Sequence, residues 1–203
     1  MARYWFAAVV SALALGGATF AQADNVTETI VIMRHGEKPA GGYGQLNCQG
    51  LNRAMALPRV LGKLFGRPAA IFAPNPAGTV DDPAGKFDYV RPLATIEPTA
   101  IAFGLPVDAS IGFLNLAALE KALKAPSLRS SLVFVAWEHL KAEDLARALV
   151  TANGGDGTLV PKWAHDDFDS LYVVKLVASG SGRKAAFTLM HEGLNSEPAS
   201  CPQ

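Results

Sequence analysis

Short apolar runs alternate along this chain with longer stretches of helical spacing. Thr29-Ile30-Val31-Ile32-Met33 is β-branched and nearly all apolar, which predicts a buried strand. Leu51, Ala54, Leu57, Leu61 and Leu64 lie on one helical stripe, which Pro58 should kink or shift. Ala69 to Ala73 predicts a short strand. Pro92 to Phe103 predicts a helix opened by proline in its first turn, with Pro98 inside it. Leu105 to Asp108 suits a short strand, and Leu116 to Leu123 a helix ending before Pro126. Ser131 to Trp137 is a second buried strand. The helix over Ala142 to Val150 stops at Asn153-Gly154-Gly155. Leu171 to Ala178 and Ala185 to Met190 predict two strands joined by the turn-rich Ser179-Gly180-Ser181-Gly182.

Strand and helix alternate through residue 150, which predicts an α/β chain with a mostly parallel sheet. The expected architecture is a three-layer α/β/α sandwich with the C-terminal hairpin as an antiparallel edge. The Gly- and Pro-rich stretch Pro74 to Gly85 reads as a long loop, not a domain boundary.

The N-terminus changes this picture. Met1-Ala2-Arg3 is a short positive start, Tyr4 to about Phe20 is apolar, and Ala21-Gln22-Ala23 has the small-x-small pattern of a cleavage site. Residues 1–23 are therefore expected to be a signal peptide, with an uncleaved anchor as the competing reading. Residues 24–203 would be one exported domain, periplasmic or secreted, with no membrane span after cleavage. Lys and Arg total 18 and Asp and Glu total 18, and the leader holds only Arg3. A near-neutral chain lacks the basic footprint of a nucleic-acid or anionic-membrane partner. The only cysteines, Cys48 and Cys201, cannot build a zinc site without other ligands. In an exported protein such a pair suggests a disulfide tying the C-terminal tail to the segment after the first strand.

Three segments carry chemistry. Arg34-His35-Gly36 ends the first strand, at the edge where open α/β sheets bind ligands. Histidine there can act as a nucleophile or carry a proton, arginine matches phosphate oxygens, and glycine gives a ligand room. Trp137-Glu138-His139 repeats the logic after the second buried strand, so a parallel sheet would bring His35 and His139 to one edge. Arg91 opens a predicted helix, whose free amides and dipole suit an anion. Against these stand blander readings: a structural histidine, a capping Glu-His pair, a solvated arginine.

The order of these motifs resembles the histidine phosphatase superfamily, also called phosphoglycerate mutase-like. The resemblance rests on Arg34-His35-Gly36-Glu37, Gly50-Leu51-Asn52-Arg53-Ala54, Arg91 with Thr95 and Ala100, and His139 after a late strand. The usual Ser-x-x-x-Arg-Ala-x-x-Thr context is altered here to Phe87-Asp88-Tyr89-Val90-Arg91-Pro92-Leu93-Ala94-Thr95. The resemblance implies a phosphatase that uses neither metal nor cofactor and acts on a small phosphorylated substrate. His35 would be the nucleophile, transiently phosphorylated, with Arg34, Arg91 and His139 holding the phosphoryl oxygens. Some members place an aspartate after the second histidine, where this chain has Leu140. Glu138 is the candidate proton donor to the leaving group, with Asp108 and Glu37 as alternatives. A phosphomutase and a non-catalytic phospho-ligand binding module are the other functional readings. His165 reads as part of a solvated acidic loop and His191 as structural. Gly41-Gly42-Tyr43-Gly44 lacks the pattern of a nucleotide P-loop.

Overall fold

The computed structural model of the protein describes Met1, residues 27–180 and residues 182–202. The signal peptide expected at 1–23 lies, Met1 aside, outside the described residues. In chain order the elements are β1 (Thr27–Arg34), α1 (Cys48–Leu64), β2 (Ala70–Pro74), β3 (Thr79–Asp82), β4 (Gly85–Asp88), α2 (Arg91–Phe103), β5 (Val107–Ile111), α3 (Leu116–Leu123), β6 (Leu132–Trp137), α4 (His139–Ala152), β7 (Ser170–Ser179) and β8 (Gly182–His191).

Six strands form one sheet in the order β5-β2-β6-β1-β7-β8. β1 runs parallel to β6, and β2 runs parallel to both β6 and β5. β7 is antiparallel to β1 and to β8, so the C-terminal hairpin closes one side of the sheet as expected. The two-residue period of β1 splits its side chains between two cores. Ile30 and Ile32 join Leu119, Leu145 and Leu149 of α3 and α4 on one face. Val31 and Met33 join Leu57, Leu61, Ile96 and Ala100 of α1 and α2 on the other. Helices on both faces make the α/β/α sandwich. Among the described residues no helix is long and apolar enough to cross a membrane.

α1 begins earlier than its apolar stripe suggests, because the Asn47 side chain caps it by accepting from the Gly50 amide at 2.9 Å. The helix continues through Pro58, so proline does not set its start. Its first turn lies directly on the loop after β1. A Cβ at Gly50 would come within 2.4 Å of the Glu37 carbonyl oxygen, so only glycine fits.

Two sequence expectations fail here. The stretch read as a loop holds β3 and the start of β4, an antiparallel hairpin that forms a separate two-stranded sheet. Its residues are mostly exposed or half-buried, so they show no strong apolar alternation. Asp108 was placed at a strand end, but it lies near the start of β5, exposed and accepting from Ser110.

The tail is fastened to α1. Cys48 and Cys201 form a disulfide, with Cα atoms 4.4 Å apart. The Asn52 amide donates to the Pro198 and Ser200 carbonyls, both at 2.8 Å. Below this clasp, fully buried Arg53 meets Glu37 through Nε and Nη2, Glu192 Oε2 at 2.6 Å and Asp169 Oδ1 at 3.4 Å. One guanidinium thus joins α1, the loop after β1 and the end of β8.

Candidate active site

The parallel pairing of β1 with β6 sets Arg34 beside Trp137, and the His35 amide donates to the Trp137 carbonyl at 3.1 Å. Both strands then release their chains at the same edge, bringing the Arg34-His35 and Glu138-His139 segments together. α4 starts at His139 and α2 at Arg91, so each helix begins with one of these residues. Thr95 in α2 is a tether: its Oγ1 accepts from the Gly36 amide at 2.9 Å and donates to the Arg91 carbonyl at 2.8 Å.

His35 is buried, and its Nδ1–H donates to the Gly36 carbonyl at 2.7 Å. That bond fixes the tautomer and leaves Nε2 with a free lone pair. Burial lowers the ring's pKa to about 3. Arg34 and Arg91 contribute to that drop, which the Gly36 carbonyl and Glu138 oppose. The ring is therefore neutral over the physiological range, as a nucleophile requires.

Arg34 is 1% exposed, and burial lowers its pKa to about 10, still charged at neutral pH. Its Nη1 donates to the His165 carbonyl at 2.6 Å and the Asp167 carbonyl at 3.0 Å. Its guanidinium carbon lies 3.9 Å from the centre of the Phe168 ring. The segment expected to be a solvated acidic loop is thus folded across the site, although the His165 side chain stays exposed. The His165 and His139 ring centres are 5.4 Å apart.

Arg91 is also buried and pairs end to end with Asp82 of β3, Nη1 to Oδ2 at 2.6 Å and Nη2 to Oδ1 at 3.2 Å. Asp82 also accepts from the Gly44 amide at 2.8 Å and lies 3.6 Å from Lys38 Nζ. Burial alone would raise the Asp82 carboxyl; Arg91 and the Gly44 amide outweigh it and keep it ionised.

Glu138 caps α4, accepting from the Lys141 amide at 2.9 Å. Its Oε1 lies 2.5 Å from His139 Nδ1, though not aligned as a hydrogen bond. Burial would raise this carboxyl, but His139 and the Lys141 and Leu140 amides hold it at about 2. An acid ionised so far below neutrality is poorly suited to the expected proton donation. Of the two alternatives, Glu37 gives both carboxylate oxygens to Arg53, and Asp108 is on β5, three strands from β1.

Sequence reasoning missed Asp82, the loop carrying His165 and Phe168, and Tyr89. Tyr89 is fully buried, with its ring 6.0 Å edge-on from His35 and 4.9 Å from the Arg91 guanidinium carbon. Seven buried polar side-chain atoms lack a hydrogen-bond partner among the described residues. Three of them, Arg34 Nε, Tyr89 Oη and Arg91 Nε, belong to residues beside His35, whereas His139 Nδ1 faces Glu138 Oε1. Buried donors without acceptors cost about 1–3 kcal/mol each, so these groups are well placed to hold an anion.

No family model matches the chain, and no curated protein matches it in sequence. Solved structures do match in shape. A Nakamurella multipartitia protein assigned as the phosphohistidine phosphatase SixA superposes with a TM-score of 0.51 at 15% identity, covering 81% of this chain and 96% of that one. Phosphoglycerate mutase from Plasmodium falciparum gives 0.51 at 15% identity, covering 86% and 95%. The chain shares the phosphoglycerate mutase-like fold. In this phosphoglycerate mutase-like frame, Arg34 and His35 end β1, Arg91 opens α2 and His139 opens α4, so the site occupies the carboxyl edge of the parallel strands.

Proposed function

We propose that the protein is a phosphatase that hydrolyses a small phosphomonoester through a phosphohistidine on His35 Nε2. The observation that carries this reading is the set of unpartnered buried donors beside a neutral, tautomer-fixed histidine. The shared fold supports it independently. His35 Nε2 attacks phosphorus while Arg34, Arg91 and His139 hold the phosphoryl oxygens, joined by the Tyr89 hydroxyl. Charge spread over those oxygens in the transition state is met by fixed cationic and hydroxyl donors, the main task of a phosphoryl-transfer site. This donor set can perform that task without a divalent ion. Glu138 holds His139 in place at the start of α4. A signal peptide at 1–23 and the disulfide fit an exported enzyme.

The test is hydrolysis of p-nitrophenyl phosphate with a chelator present, by the chain from residue 24 onward and by His35→Ala. Chelator-resistant turnover that disappears in the variant is the expected result. Thermal protection by inorganic phosphate without turnover of any ester would indicate a binding module instead. Turnover that survives in His35→Ala would overturn the assignment of the nucleophile.

A further inference from the structure

Four carboxylates around the site are already committed. Glu138 caps α4, Asp82 grips Arg91 and Glu37 grips Arg53. Asp167 accepts from the Asp169 and Ser170 amides and from the Ser170 hydroxyl. An alkoxide leaving group still needs a proton, and a group so tightly bonded as an anion supplies one poorly. His165 is differently placed. Its backbone is pinned by Arg34 Nη1, and Trp163 Nε1 fixes the same loop through the Asp167 carbonyl at 3.1 Å. The residue is exposed to solvent, and its ring packs edge-on against that of His139, 5.4 Å between centres. The His139 ring of α4 faces it, and Arg34 Nη1 from β1 holds its backbone carbonyl.

We propose that His165 is the proton donor to the leaving group, and that the substrate is accordingly an O-phosphomonoester of an alcohol. This rests on the phosphohistidine reading of the same site. In the first step the His35 Nε2–P bond forms, the P–O bond to the alcohol breaks, and the departing oxygen takes the proton of the His165 imidazolium. In the second step water attacks phosphorus, the N–P bond breaks, and neutral His165 takes the proton released by water. The sum is ester plus water to alcohol plus phosphate, with His165 returned to its starting state.

The experiment compares His165→Gln with the unaltered protein on two substrates. One is an alkyl phosphate such as glycerol phosphate, and the other is p-nitrophenyl phosphate, whose leaving group departs without a proton. Turnover of the alkyl ester should fall by roughly 10²-fold or more. The first, pre-steady-state release of p-nitrophenolate, the one step that needs no proton donor, should stay within a few-fold. Added imidazole should restore alkyl ester turnover to His165→Ala, because the position is open to solvent. A p-nitrophenolate release slowed as much as alkyl ester turnover would show that the residue only holds the Arg34 loop, and would overturn the proposal. So would an unchanged alkyl ester rate. If the unaltered protein turns over neither substrate, the phosphatase reading itself fails, a result distinct from both.

Discussion

Asp82 grips Arg91 at both ends of its guanidinium, with contacts of 2.6 and 3.2 Å, although the two residues sit on separate elements. Both side chains are nearly inaccessible, at 2% and 3% exposure. Asp82→Asn keeps the shape but removes the charge, leaving a buried cation poorly compensated. Stability should fall by about 3 kcal/mol in urea unfolding. Because Arg91 also loses its orientation, kcat/KM for p-nitrophenyl phosphate should drop by roughly 10²-fold. Lost stability with unchanged kinetics would mean that the pair serves the fold alone.

Tyr89→Phe should separate stability from activity. The hydroxyl is buried and unpartnered in the free protein, so removing it should leave stability unchanged or raise it by about 1 kcal/mol. If the hydroxyl donates to a charged phosphoryl oxygen, the same change should cost ~2 kcal/mol of transition-state stabilisation, a decrease of about thirtyfold in kcat/KM. A variant that is less stable and equally active would contradict both parts.

Much of the fold was legible because the sheet strands and helices bury whole faces. Ile30 to Met33 and Val133 to Trp137 are apolar without alternation, since strands covered on both faces bury the side chains of each. The hairpin β3–β4 was not legible, because its mostly exposed residues leave no apolar period to read. In the site, Arg34, His35 and His139 were visible since each ends a buried strand or follows one. Asp82 was hidden within that unrecognised hairpin. His165 was hidden by distance, since its contact with Arg34 spans 131 residues. Tyr89 lay in plain view two positions before Arg91, and its buried aromatic hydroxyl beside an arginine was the signal passed over.

The neutrality of His35 has a pH signature. Its folded pKa of about 3 lies below the ordinary 6.5, so the unfolded chain binds more protons between those values. Its contribution to stability is therefore full above pH 6.5 and is lost as pH falls toward 3. Glu138 adds the same sign only below 4.5. Comparison with His35→Gln between pH 6.5 and 4.5 isolates the histidine: the variant's stability should fall less on acidification. Parallel curves for the two proteins would mean that His35 is protonated in the folded state.

The disulfide closes a loop spanning 153 residues. Cys201→Ser should lower unfolding stability by up to ~5 kcal/mol, by the loop-entropy account. The site lies at the strand edge rather than at the tail, so p-nitrophenyl phosphate turnover at low temperature should survive. A variant that stays folded yet loses activity would place the tail in the site's machinery.

Glu192 gives the opposite pH sign to His35. It is almost completely buried, and that burial raises its carboxyl pKa to about 8. Asp169 and Glu37 act in the same direction, and Arg53 offsets only part of the rise. A raised folded pKa contributes stability that is complete below 4.5 and is lost as pH rises through 8. Glu192→Gln keeps an oxygen for the Arg53 bond at 2.6 Å and has no proton to lose. It should match the unaltered protein in acid and exceed it by more than about 1 kcal/mol at pH 8 and above. Denaturant midpoints measured from pH 5 to 9 decide the matter. A variant uniformly less stable would mean that Arg53 holds Glu192 as an anion, with three carboxylates sharing one buried cation.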